Sequence, residues 1–359
     1  MNPANRLHAL GQSLWLDNIT RTLVQDGTLA RYIGEIAVTG LTSNPTIFEQ
    51  AIRNGHVYDE AIRSKAAAGL SDEALFFELA IEDLSAAADL FAAEFERTNG
   101  VDGWVSLEVS PLLADETEAT VNAAVDLHAR AAKPNLYIKI PGTPAGIPAI
   151  EEAIAAGVPV NVTLLFSAEQ YLAAAEAWAR GIERRLDGGL PANVSSVASV
   201  FVSRWDGAVK AQLPTTLHNR LGIAMMARCY REYRKLLISP RWQKLIAAGV
   251  SPQRLLFAST SAKDPALADS YYVDALAAPD TVDTIPEKTL LAYAKQGNPG
   301  PVLPPDGGDC ETVLAAIAAA GVDIDALATQ LQRDGAASFV KSWQDLIACL
   351  AEKSQKKPG

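Results

Sequence analysis

Short runs of apolar and β-branched residues recur along the chain, separated by longer stretches in which apolar positions return at helical spacing. The runs Ser13–Asp17, Ile36–Leu41, Trp104–Val109, Leu136–Ile140, Val158–Leu164, Val197–Val202 and Leu255–Ser259 read as strands, with a weaker one at Thr281–Thr284. They are continuously apolar rather than alternating, the pattern of strands buried on both faces of a parallel sheet. Between them, Phe76, Ala80, Leu84, Ala87, Phe91 and Phe95 form one apolar stripe of a helix over Glu73–Glu96. Asp115–Ala132, Ser167–Leu186 and Thr215–Leu237 behave alike. Ser167, followed by Glu169 and Gln170, has the chemistry of a helix N-cap.

Strand–helix alternation with about eight strands predicts an α/β fold of the (β/α)8, or TIM-barrel, kind. An open doubly wound sheet is the competing architecture, but no GxGxxG follows the first strand. The barrel core is expected over residues 10–295 of a single domain spanning 1–359, with extra helices at both ends. Gln296–Gly308 reads as a Pro/Gly-rich linker. The extension after it, residues 301–352, holds Ala-rich helices at Glu311–Ala320 and Ile324–Glu352, expected to pack on the outside of the barrel. Lys353–Gly359 reads as a disordered end. No repeat of fixed period appears, which excludes solenoids.

Composition narrows the possible functions. The chain has 359 residues, 49% hydrophobic and 20% charged, enough for a large core. A net charge of -11 is opposite to the basic footprint of a nucleic-acid binder and disfavours an anionic membrane surface. A phosphorylated small molecule stays open, because it needs only a local cluster of cations and N–H groups. Cys229, Cys310 and Cys349 are scattered without CxxC spacing, so reduced thiols and a cytoplasmic setting are expected. Met1–Asn18 lacks the pattern of a signal peptide, and no run reaches the length of a membrane span. His8, His56, His128 and His218 lie far apart, with no metal-ligand spacing, so no metal is expected. Pro141–Gly146 resembles a phosphate loop weakly, lacks its GK[ST] ending and reads better as a turn.

The chemistry lies in the polar residues that interrupt or end the apolar runs. Lys139 falls inside Leu136-Tyr137-Ile138-Lys139-Ile140-Pro141. Burial disfavours an ammonium group, and a neutral amine in a dry pocket is a nucleophile for carbonyl carbon. A lone lysine there could equally snorkel to water or pair with a carboxylate. In a barrel, however, the site lies at the C-terminal ends of the strands. Asp17, Asn44, Glu108, Lys139, Asn161 with Thr163, Ser199 and Ser259 end seven successive runs. Each has a structural reading of its own: Asp17 as a helix cap, Asn44 before Pro45 as a turn, Glu108 as an ion-pair partner, Asn161 and Thr163 as partners of buried backbone. Together they converge on one barrel mouth, where charged groups cost too much to be incidental. The set suits amine–carbonyl chemistry. Lys139 attacks a ketone, Glu108 shuttles protons through a water, and Asp17 takes a hydroxyl proton as a carbon–carbon bond breaks. Asn44 and Asn161 hold hydroxyls, while Arg204 and Lys263, with Ser199 and Ser259, hold a phosphate.

From about residue 10 to 295 the chain resembles transaldolase, a Schiff-base enzyme family of the non-oxidative pentose phosphate pathway. The resemblance is carried by Trp15-Leu16-Asp17, Gly40-Leu41-Thr42-Ser43-Asn44-Pro45-Thr46-Ile47-Phe48, Val105-Ser106-Leu107-Glu108-Val109, Ile138-Lys139-Ile140-Pro141-Gly142-Thr143 and Asn161-Val162-Thr163-Leu164-Leu165-Phe166-Ser167. It implies that Lys139 is the Schiff-base lysine, that Glu108 and Thr163 activate the catalytic water, and that Asp17 triggers cleavage. It implies that Asn44 and Asn161 hold the dihydroxyacetone unit, with Thr46, Ser199 and Ser259 among the substrate-binding residues. Ser199-Val200-Phe201-Val202-Ser203-Arg204 matches the family's serine and phosphate-binding arginine. The implied reaction moves a dihydroxyacetone unit from sedoheptulose 7-phosphate or fructose 6-phosphate to glyceraldehyde 3-phosphate or erythrose 4-phosphate. It uses no metal or organic cofactor, and the enzyme would be a monomer or homodimer. One departure stands out. Where many members carry a second phosphate arginine, this chain reads Ser259-Thr260-Ser261-Ala262-Lys263-Asp264-Pro265, so Lys263 would substitute as a point charge rather than a bidentate fork. Two alternatives remain open from residues alone: a related lysine aldolase, acting like a fructose 6-phosphate aldolase and releasing free dihydroxyacetone, and a metabolite-binding barrel without catalysis.

Overall fold

A computed structural model describes residues 2–355. Eight parallel strands close into a barrel in chain order: β1 (Ser13–Asp17), β2 (Val38–Thr42), β3 (Trp104–Glu108), β4 (Leu136–Pro141), β5 (Val160–Leu165), β6 (Ser196–Phe201), β7 (Arg254–Ala258) and β8 (Val282–Ile285). The (β/α)8 expectation holds. All eight predicted strands are present, and the weak eighth closes the barrel by pairing with both β1 and β7.

Boundaries shift where the backbone enters the left-handed region at a residue other than glycine. Ile36 belongs to the helix Thr28–Ile36, and Ala37 at φ 53° turns the chain into β2. Ser259 at φ 59° ends β7 one residue before the predicted end. The helix expected over Thr215–Leu237 divides into a short 3-10 turn, Thr215–Leu217, and the helix Leu221–Leu237, with Asn219 at φ 59° between them. Other helices fall close to their predicted spans. Asp72–Arg97 is capped by Ser71, and Ala168–Asp187 by the predicted Ser167, which forms a capping box with Gln170.

The lower barrel interior is filled by aromatic side chains. Trp104 stacks on Tyr137 with ring centroids 4.0 Å apart, and Trp15 lies 6.0 Å from Tyr137. The Trp15 indole donates to buried Asp102 at 2.8 Å. Gly40 of β2 is required by this packing, since a Cβ there would come within 2.7 Å of both the Trp104 carbonyl and the Trp15 nitrogen. The plug leaves the polar chemistry to the opposite, C-terminal end of the strands.

The C-terminal region departs most from expectation. The helices Cys310–Ala319 and Ile324–Gln355 both form. The second does not lie on the outer ring, however, but crosses the mouth of the barrel. Buried Gln332 donates through Nε2 to the carbonyls of Gly142 and Leu164, both at 2.9 Å, tying the helix to the tops of β4 and β5. Further along, Trp343 packs edge-on to Phe76 at 5.0 Å. Lys353, expected in a disordered end, remains helical and donates to Gly55 O and Asp59 at 2.6 and 2.7 Å. Ser354 and Gln355 are helical too, and residues 356–359 of that predicted end lie outside the described residues. Among the described residues no single helix is long and apolar enough to cross a membrane. Cys310–Ala319 and Ile324–Gln355 qualify only jointly and are bent by 92°.

One buried acid sits away from the mouth. Asp283 of β8 is 0% exposed, and neither carboxylate oxygen has a hydrogen-bond partner. Burial pushes its carboxyl up to about 8, with the Thr260 hydroxyl opposing. The folded state therefore holds a proton that the unfolded chain releases near 3.8. Stability from this group is full below pH 4, declines as pH rises, and is gone above pH 8. Relative to Asp283→Asn, the native chain is expected to lose up to about 1.4 kcal/mol per pH unit across that window. Urea unfolding of both proteins at pH 5, 7 and 9 measures the difference; parallel pH profiles would contradict it.

Candidate active site

Strand register brings the chemistry-bearing residues together. Glu108 pairs with Lys139 across β3–β4, Lys139 with Asn161 across β4–β5, and Asp17 with Thr42 across β1–β2. Side chains two apart on a strand share a face, so Asn161 and Thr163 both point inward from β5. A cleft at the C-terminal mouth is lined by Asp17, Asn44, Lys139, Thr163, Ser199, Arg204, Ser259 and Lys263 among the predicted residues.

Lys139 is 5% exposed. Its Nζ donates to the Ser43 carbonyl at 3.1 Å and lies 3.7 Å from Glu108 Oε2. Glu108 is buried, and its carboxyl is pushed up to about 7: burial raises it most, Lys139 pulls it back, and the Asp17 charge raises it further. Glu108 Oε2 and Thr163 Oγ1 are both buried without a hydrogen-bond partner. Unpartnered buried polar atoms are uncommon in native proteins, and two of them beside a buried amine suit polar groups that act on a reacting species.

Asp17 faces the amine from β1. Thr42 Oγ1 donates to Asp17 Oδ1 at 2.8 Å and sits 2.6 Å from the Thr284 hydroxyl. Burial raises the Asp17 carboxyl above its ordinary value, opposed by Lys139, the Thr42 hydrogen bond and Lys263. Asp17 does not cap the helix that follows, Arg21–Gln25, whose cap is Thr20. Asn44 does cap a helix, accepting from Ile47 N at 3.1 Å at the start of Pro45–Asn54. Its structural and functional readings are therefore compatible, since the capping oxygen leaves the amide N–H groups to the cleft. Asn161 lies one layer deeper and is 0% exposed; it donates to Ser106 Oγ at 3.1 Å and accepts from Ser199 Oγ at 2.7 Å. Thr46 is turned elsewhere. Its hydroxyl donates to Ser342 of the C-terminal helix at 2.7 Å, and it does not line the cleft.

At the far end, Arg204 lies against the Phe201 ring, 5.2 Å from its centroid. Burial lowers its guanidinium pKa, with Asp334 opposing. The hydroxyls of Ser203 and Ser259 are 3.0 Å apart beside it, and Ser261 joins the lining. Lys263 is exposed at the rim.

Several groups escaped the sequence reading. Thr42 and Thr284 look like ordinary strand formers, and the Ser43 contribution is a backbone carbonyl with no side-chain signature. Phe339 of the C-terminal helix lines the cleft 5.8 Å from Lys139 Nζ. Its helical periodicity reads only as core. Among the described residues no cluster of three His, Cys, Asp or Glu is arranged to hold a metal.

A buried amine between carboxylates, at the mouth of a closed parallel barrel, is the equipment of a (β/α)8 protein that works on carbonyl carbon. The pattern of the family described as Transaldolase/Fructose-6-phosphate aldolase matches residues 14–350, and the chain belongs to that family. It is 41% identical to a transaldolase of Frankia alni over 98% of this chain and 97% of that one. It is likewise 41% identical to a transaldolase of Neisseria gonorrhoeae, over 95% and 97% of the two chains. A protein of Nostoc punctiforme called transaldolase 2 is 38% identical over 96% and 95%.

Proposed function

We propose that the protein is a transaldolase, moving a dihydroxyacetone unit between sugar phosphates through a Schiff base on Lys139. The observation that carries the reading is the Lys139 amine, almost wholly buried and held between the Ser43 carbonyl and Glu108 in a chain of this family.

The ketone carbon of fructose 6-phosphate or sedoheptulose 7-phosphate accepts the amine, giving a carbinolamine. Glu108, titrating near 7, can both give and take a proton at neutral pH through a water shared with Thr163, so the carbinolamine loses water and the imine forms. Asp17 then removes the proton of the C4 hydroxyl, the C3–C4 bond breaks and an aldose phosphate leaves. The electron pair stays on the three-carbon fragment as an enamine, whose hydroxyls Asn44 and Asn161 hold. Its attack on an acceptor aldehyde and the reversed steps return the free amine. Arg204, with Ser259, Ser261 and Lys263, supplies cation and hydroxyl donors for the phosphate. The three cysteines are free and buried, in keeping with a cytoplasmic setting.

Incubation with fructose 6-phosphate and erythrose 4-phosphate is expected to yield sedoheptulose 7-phosphate and glyceraldehyde 3-phosphate. Without an acceptor, little dihydroxyacetone should appear. Free dihydroxyacetone accumulating at the rate of substrate consumption would instead favour the aldolase reading.

A further inference from the structure

Transfer and release part at the enamine: its carbon attacks an acceptor aldehyde, or takes a proton, after which water adds to the carbon–nitrogen double bond. The barrel strands cannot settle this alone, because their ends open upward. The C-terminal helix covers that opening. Gln332, Gly335 and Phe339 recur at spacings of three and four and therefore share one face of it. Gln332 fastens the face to the tops of β4 and β5 through two 2.9 Å hydrogen bonds. Gly335 brings the helix close, since a Cβ there would lie 2.9 Å from the Leu164 side chain and 3.2 Å from Arg204 Nη1. Phe339, two turns beyond Gln332, sets its ring 5.8 Å from Lys139 Nζ and is only 8% exposed. The ring makes no hydrogen bond and offers water nothing.

We propose that Phe339 is the residue that decides between transfer and release, by roofing the reacting amine with an apolar ring that water cannot use. The proposal rests on the Schiff-base reading above. In the release path, the enamine takes a proton at carbon to become an imine, and water adds across the C=N bond. The resulting carbinolamine collapses to free dihydroxyacetone and the Lys139 amine. Removing the ring exposes the imine to that addition while leaving Lys139, Glu108 and Asp17 in place.

The test compares the full chain with Phe339→Ala and Phe339→Leu, using fructose 6-phosphate and erythrose 4-phosphate. Dihydroxyacetone released and sedoheptulose 7-phosphate formed are measured in the same reaction, and the borohydride-trapped adduct is measured by intact mass. The ratio of release to transfer is expected to rise at least about tenfold in Phe339→Ala and less in Phe339→Leu, with the adduct still formed. An unchanged ratio, or release and transfer falling in proportion, would overturn the proposal. If the alanine variant does not fold by circular dichroism, the leucine variant decides by the same ratio. Absence of an adduct in the unsubstituted chain is a separate result: it removes the Schiff-base reading, and the proposal with it.

Discussion

Lys139→Ala is expected to abolish transfer, with kcat falling by at least about 10⁴-fold, and to abolish the borohydride-trapped adduct with fructose 6-phosphate. The size follows from the role proposed for the amine. Without it there is no covalent attachment of the ketone, and no electron sink for the pair left when the C3–C4 bond breaks. Neighbouring groups cannot replace it: Glu108 and Asp17 are carboxylates, and Lys263 stands exposed at the rim. The fold should survive although both the Ser43 carbonyl and Glu108 lose their partner, because burial already favours the protonated, neutral form of Glu108. Its cost is about 3–5 kcal/mol, that of removing one partner of a buried pair, lessened by protonation of Glu108. Intact mass after reduction gives the decisive reading. A trapped adduct surviving in Lys139→Ala would place the Schiff base on another lysine and undo the assignment.

Glu108→Gln is expected to lower kcat by about 10²–10⁴-fold while leaving the adduct trappable at longer times. The substitution keeps shape and removes the titration. In the native chain the Glu108 carboxyl titrates at about 7 rather than near 4.5. Below that point it is protonated and cannot accept a proton from the carbinolamine water. The kcat/KM profile should therefore fall on its acid side, about tenfold per unit once well below pH 7. In Glu108→Gln that limb should vanish, leaving a low and flatter profile. A limb of the same position in the variant would assign the titration to another group, of which Asp17, also raised by burial, is the nearest.

Much of the site could be read from the sequence for a physical reason. Strands buried on both faces of a parallel barrel are continuously apolar, so a polar residue within one is conspicuous. Lys139, Glu108, Asn161 and Ser199 are conspicuous in the sequence for this reason. The barrel itself followed from the alternation of such strands with helices. The boundaries at Ala37, Asn219 and Ser259 were not visible, because each turns through the left-handed region without the glycine that usually marks such a turn. Thr42 and Thr284 were hidden by their own β propensity. Phe339 was hidden differently. An aromatic on the apolar stripe of an Ala-rich helix has the same pattern whether the helix packs on the outer ring or across the mouth. Only the partners of Gln332 distinguish the two placements, and a glutamine that bonds two distant carbonyls has no local signature.

Those two carbonyls belong to Gly142 and Leu164, at the tops of strands made long before Gln332 is. On the ribosome Lys139, Glu108, Asp17 and all eight strands precede the helix that fastens over them. The cover over the cleft is thus made after the groups it covers. A nascent or prematurely terminated product could close its barrel and still lack the clamp on β4 and β5. Its lysine would stand in an open bowl rather than a covered one.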